Sequence, residues 1–165
     1  MTAIADRVRE FLEGNGVVYD QIHHQRDFTA MKTAEHTHTP GKQFAKAVVT
    51  RVGGEFALAV LPSNHTVDPE RFASALEGKE VAIASEDEVD RLFPDCEEGA
   101  VPPFGNLYGL QVYVSPALKQ AEKITCVAGS HAEAIRLGYR DFERLVRPKE
   151  VDFSVVYHGG PPERG

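Results

Sequence analysis

"AKAVVTRVGGEFALAVLP", residues 45–62, is two apolar runs on either side of Gly53-Gly54. Val48, Val49, Leu58 and Val60 suit a pleated, half-buried surface. Paired glycines can take the positive φ angles that a tight two-residue turn needs. The stretch therefore predicts a β-hairpin, and the remaining elements must cover it. It also holds an anomaly. Lys46 sits among Phe44, Ala45, Ala47 and Val48, yet a strand needs no cation, and lysine is rarely buried unless paired. Lys42 and Arg51 lie close by in sequence, in a part of the chain poor in acids. A solvated strand edge would account for that small basic cluster as well as a binding surface would.

Working outward, Ile4, Val8, Phe11 and Leu12 make a helical stripe, with Thr2 as its cap and Gly14 as its stop. "VVYDQIHH" (17–24) reads as a strand. After the hairpin, "DPERFASALEG" (68–78) predicts a helix with Asp68 as cap, Pro69 at its first position and Gly78 at its end. "VAIAS" (81–85) reads as a short buried strand, and Ser85 with Glu88 has the pattern of a capping box. A loop, "DCEEGAVPPFGNLYG" (95–109), precedes the strand "LQVYV" (110–114), and Ser115-Pro116 opens a brief helical turn. "KITCVAG" (123–129) is a further strand, "YRDFERLVRP" (139–148) a helix stopped before Pro148, and "VDFSVV" (151–156) closes the fold. These elements point to a mixed α/β (α+β) fold: a single domain with a curved mixed sheet or partly open barrel, flanked by short helices. Residues 1–158 are expected to form that domain and 159–165 a flexible tail.

The composition narrows the function classes. With 165 residues, 42% hydrophobic and 26% charged, the chain resembles an ordinary globular protein. A formal net charge of −7 argues against a broad basic face that coats nucleic acid, DNA included, but leaves room for a grip on one end of a strand. No apolar run approaches a membrane span, and the N-terminal segment is charged and amphipathic unlike a signal peptide, so a cytoplasmic protein without a membrane partner is expected. Cys96 and Cys126 lack the spacing of a disulfide framework or a zinc site.

Motifs for nucleophile elbows, phosphate loops and dinucleotide binding are missing. "HTH", His36 and His38 beside Glu35, invites a metal reading, because residues two apart on a strand face the same side. A third ligand is not visible locally, and a polar loop is the simpler account of the pair; no cofactor is expected. His23, His65 and His158 read as surface or loop residues. "GAVPPFG" (99–105) sets Gly99 and Gly105 around Pro102, Pro103 and Phe104. Prolines stiffen such a loop, and glycines let backbone N–H groups approach a carbonyl oxygen. An ordinary turn has the same composition. "AGSHAEA" (128–134) is a second small-residue loop, with Gly129, Ser130 and His131 able to line a pocket.

In this order, "FAKAVV", "FALAVLP", "GAVPPFG" and "CVAGSHAEAIRL" resemble the YbaK-type aminoacyl-tRNA deacylases, relatives of the editing insertion domain of bacterial prolyl-tRNA synthetase. "YDQIHHQRDFTA", with His24 and Thr29, fits the same pattern, and the likeness runs from about Val17 to Val155. The resemblance implies a trans-editing hydrolase that removes a wrong amino acid from tRNA, and a single mixed α/β domain with a curved, partly barrel-like sheet. It sets the family's lysine at Lys46, its glycine–proline loop at Gly99 to Gly105 and its later pocket segment at Gly129, Ser130 and His131. Many relatives carry threonine or serine after that lysine, where this chain has Ala47. The implied chemistry is attack by water on the aminoacyl ester, assisted by the substrate's ribose hydroxyl, with Lys46 and the backbone of Gly99 to Gly105 stabilising charge. Phe28, Thr29, Ala45, Ala47, Phe104 and Ser130 would line a pocket for a small amino acid. The expected partner is the acceptor end of mischarged tRNA, delivered alone or through a synthetase or elongation factor. Two competing readings remain at this point: a catalytically silent module that binds aminoacyl ends or a synthetase, and a metal-dependent hydrolase using His36 and His38.

Overall fold

The computed structural model describes residues 5–23, 33–35, 37 and 39–156. The expected hairpin is its spine: β2 (Ala45–Val52) pairs antiparallel with β3 (Glu55–Pro62) over its whole length. Gly53 and Gly54 take φ of 58° and 88°, the left-handed pair that matches the twist of two adjoining strands. The hairpin is the centre of a five-stranded sheet of order β5-β2-β3-β6-β9. Here β5 is Val81–Ile83, β6 Gln111–Val114 and β9 Lys149–Glu150. β6 runs parallel to both β3 and β9. A three-stranded antiparallel sheet holds β1 (Asp20–His23), β8 (Glu133–Gly138) and β7 (Lys123–Val127) in that order. A two-stranded one pairs β4 (His65–Val67) with β10 (Ser154–Val156). A parallel bridge, Phe44 to Thr125, joins the first sheet to the second. The domain is thus a mixed α/β fold whose sheets do not close into a barrel.

Alternation along the strands sends successive side chains to opposite faces, and two cores result. Ala45, Ala47 and Val49 of β2 join Leu58, Val60, Val112, Ile124, Cys126, Ile135 and Leu137 in the main core. Helices α1 (Asp6–Gly14) and α4 (Tyr139–Val146) close that core with Val8, Leu12, Phe142 and Val146. On the other face, Val48, Val52, Ala59 and Leu61 pack with Phe72, Tyr113 and Phe153. Phe72 belongs to α2 (Pro69–Ala75), capped by the Asp68 carboxylate, which accepts from the N–H groups of Glu70 and Arg71. Helix α3 (Glu86–Leu92) starts with the expected Ser85–Glu88 capping box, a device worth about 1 kcal/mol.

Two expectations change. β5 is not buried: it pairs only with β2 at the sheet's edge, leaving Ile83 48% exposed. β8 begins within the stretch 128–134 that reads as a loop and runs on to the start of the last helix; Ile135 and Leu137 face the core while Arg136 between them faces away. No helix among the described residues is long and apolar enough to cross a membrane. Thr2 and residues 159–165 lie outside the described residues.

Candidate active site

Lys46 pairs with Leu61 across the hairpin and is only 6% exposed. Its strand neighbours on the same face are Phe44 and Val48. Val48 belongs to the second core, whereas Phe44 packs with Ala34, Ala100 and Val127 in a separate small cluster. The ammonium carrier therefore stands at the seam between two apolar patches. The sequence cluster of cations is dispersed in space. Lys42 is exposed, and Arg51, on the opposite face of β2, pairs with Glu88 and lies over the Phe56 ring at 4.7 Å.

Ala100 brings the glycine–proline loop to this seam. That loop and the Gly129–His131 loop are laced into one unit. Glu97 N–H donates to the Gly129 carbonyl (2.9 Å), Gly129 N–H to the Ala100 carbonyl (2.9 Å), and His131 N–H to the Glu97 carboxylate (2.9 Å). The His131 ring nitrogen Nε2 also bonds the Glu98 carbonyl. Gly129 has φ of 107°, and a Cβ there would sit 3.0 Å from the Ala5 nitrogen, so only glycine fits both the angle and the space. Ser130 is buried, and its Oγ accepts from Ala132 N–H at 3.0 Å.

Gly99 lies at the partly exposed crest of the loop with φ of 80°. Its N–H and that of Val101 donate to no acceptor among the described residues. Gly105 is a different kind of glycine. It has no positive φ, is buried, and opens a 3-10 turn; a Cβ on it would come within 2.8 Å of Val112 Cγ2 and 3.2 Å of Leu58 Cβ. Its reason for being glycine is packing. Pro102 and Pro103 are buried. Phe104 is fully buried in the main core, edge-on to Phe11 and Phe142. Ala47 also faces the main core, away from Lys46. Phe28, Thr29, His24, His36 and His38 lie outside the described residues.

His65, which reads as a surface residue in sequence, is part-buried in β4. Its Nδ1 bonds Ser154 Oγ at 2.8 Å, and Ser154 Oγ bonds Ser115 Oγ at 2.9 Å. Burial, reinforced by the Lys46 charge and opposed by Asp152, holds the His65 imidazole below its usual pKa. Lys46 therefore lies within electrostatic reach of a histidine that no motif announces. Neither thiol is disposed to react: burial pushes Cys96 up to about 11 and Cys126 further still.

The model of the aminoacyl-tRNA editing domain family matches residues 24–145, a span that holds Lys46 and both laced loops. The chain belongs to that family. It is 29% identical over 152 residues to the multifunctional Ser/Thr-tRNA deacylase ProXp-y of Escherichia coli, a match covering 89% of this chain and 90% of the relative. Among solved structures, the hypothetical protein APE2540 superposes with a TM-score of 0.81 at 18% identity, covering 91% of this chain and 100% of that one. A candidate trans-editing enzyme for prolyl tRNA synthetase does so at 0.79 and 20% identity, covering 96% and 99%. Those two likenesses speak for the fold. Family membership assigns the reaction class: this aminoacyl-tRNA editing domain is a deacylase, a hydrolase of the ester between an amino acid and mischarged tRNA.

Proposed function

We propose that the protein edits in trans, clearing small amino acids from tRNA after a synthetase has released its error, with Lys46 and the laced loops as its machinery. The observation that carries this reading is the buried position of Lys46 at the seam where Ala100 brings in the glycine–proline loop. A cation held there can pair with the terminal phosphate or with negative charge growing on the ester carbonyl. The Gly99 and Val101 amides are suited to hold that carbonyl oxygen. Water attacks the carbonyl carbon, the bond to the ribose oxygen breaks, and that oxygen takes a proton. The amino acid leaves as its carboxylate, and the second proton of the attacking water passes to solvent. With no general base evident among the residues named, the vicinal ribose hydroxyl is assigned the assisting role, and positioning supplies much of the rate.

Serine and threonine are the first substrates to test, because the Escherichia coli relative is a Ser/Thr-tRNA deacylase; alanine and cysteine follow on size. A small site excludes bulk but separates single methylenes weakly. Tight selection of tRNA would then fall to contacts at the acceptor end or to a partner synthetase or elongation factor in the cytoplasm. The experiment is a deacylation screen against tRNAs mischarged with serine, threonine, alanine and cysteine. Release of at least one far above the spontaneous rate is expected. Tight binding of every such tRNA without hydrolysis would replace this reading by a silent binding module.

A further inference from the structure

The faces of β7 and β8 that turn away from the main core form an open cleft of about 250 Å³, lined by Thr39, Pro40, Gln43, Lys123, Thr125 and Arg136. Arg136 is part-buried there. Its Nε donates to Thr125 Oγ1 (2.9 Å), and its Nη2 donates to Thr39 Oγ1 (2.9 Å) and to the Thr37 carbonyl (3.4 Å). All three acceptors are neutral. Asp20 is its cross-strand neighbour on β1, yet no carboxylate among the described residues forms an ion pair with it. The guanidinium is thus held in plane by oxygens that carry no formal charge, and its Nη1 hydrogens have no acceptor among the described residues. Lys123 lies two residues before Thr125 on the same face of β7 and is exposed.

We propose that this cleft is a phosphodiester subsite that receives the backbone of the acceptor strand of tRNA beside the reacting ester. The inference rests on the editing function proposed above and extends it to a second contact. A guanidinium held rigid by neutral partners, with its Nη1 hydrogens left over, can donate to a phosphate oxygen, and a nearby ammonium adds a point charge. The position fits the same substrate. Thr125 is bridged to Phe44, which precedes Lys46 by two strand residues, about 7 Å. Val127, on the same face of β7, packs with Phe44 and Ala100. A strand whose terminal ester lies at Lys46 and Gly99 therefore has its preceding backbone led toward Arg136. The arrangement also reconciles a net charge of −7 with binding a polyanion, since the grip is local.

The test has a binding arm and a hydrolysis arm, each run on Arg136→Gln and Lys123→Gln. Fluorescence anisotropy with an uncharged RNA hairpin of the acceptor stem reads affinity across a salt series. Each variant is expected to bind about tenfold more weakly and to flatten the slope of log affinity against log salt by about 0.7 per lost contact. In the hydrolysis arm, KM for mischarged tRNA should rise with kcat kept, while hydrolysis of the matching aminoacyl-adenosine, which carries no phosphate, stays at the wild-type rate. Lys123→Gln changes only an exposed side chain, so it decides the matter should Arg136→Gln fold poorly. Unchanged affinity and unchanged salt slope in the folded variants would overturn the subsite, as would equal losses on tRNA and on aminoacyl-adenosine. A wild-type protein that hydrolyses neither substrate refutes the editing function instead, and the binding arm still decides the subsite.

Discussion

Lys46 and Ala47, adjacent in sequence, face opposite sides of β2: Lys46 lies opposite Leu61 on the face it shares with Phe44 and Val48, Ala47 opposite Val60 and into the main core. Changes at the two positions should therefore separate chemistry from stability. Ala47 belongs to a close-packed interior where added volume is felt.

For Lys46, replacement by alanine is expected to lower kcat/KM for mischarged tRNA by about 100-fold or more while the fold survives. Lys46→Met keeps most of the volume without the charge and should fail equally. Lys46→Arg should also be poor, since a planar fork does not reproduce a compact ammonium. Single-turnover deacylation beside circular dichroism checks this, and a folded methionine variant with wild-type turnover would remove Lys46 from the chemistry.

The two loop glycines should part company. Gly99→Val is expected to lose turnover with only a modest loss of stability: a φ of 80° strains a β-branched residue at a partly exposed position, and under the proposed function the Gly99 amide holds the ester carbonyl. Gly105→Val should lose stability first, by about 1–3 kcal/mol, because its new side chain collides with Val112 and Leu58. Thermal melts and rates measured on the same preparations distinguish the two outcomes.

His65 predicts a pH dependence of stability. Its folded pKa lies below the ordinary value of 6.5, through burial first and the Lys46 charge second. The unfolded chain therefore binds the proton more readily. The stability tied to neutral His65 is fully present above about pH 6.5 and is lost as pH falls through the lower folded value. His65→Gln should flatten this part of the melting-temperature profile relative to wild type; identical profiles would show that the histidine titrates freely.

Activity is expected to survive exhaustive EDTA treatment. Among the described residues no group of three His, Cys, Asp or Glu side chains is disposed to hold a metal ion. Loss of hydrolysis that zinc restores would bring His36 and His38 back as ligands.

Local chemistry was legible in the sequence where one residue type could do only one thing. The Gly53-Gly54 turn, the Asp68–Pro69 helix start and the Ser85–Glu88 capping box all have their mechanism within four residues. What escaped was set by distant partners. Whether β5 lies inside or at an edge depends on what pairs with it, and whether Gly105 is a hinge or a packing glycine depends on Val112 and Leu58. His65 and Arg136 likewise gain their surroundings from Ser154 and Thr39, far along the chain. The one available signal for Arg136 was the alternation of Ile135, Arg136 and Leu137, which marks a strand with a polar outer face.

The lacing of the loops sets an order of events for a refolding chain. The β2–β3 hairpin that carries Lys46 closes over a two-residue turn, so its contacts are local and form quickly. The bonds from Glu97 and Ala100 to Gly129, and from Ala5 N–H to the Ala128 carbonyl, close far longer loops and must wait for β7 and β8. Catalytic competence should therefore return after strand content does: a chain caught midway would carry its lysine on a formed hairpin with nowhere yet to seat an ester.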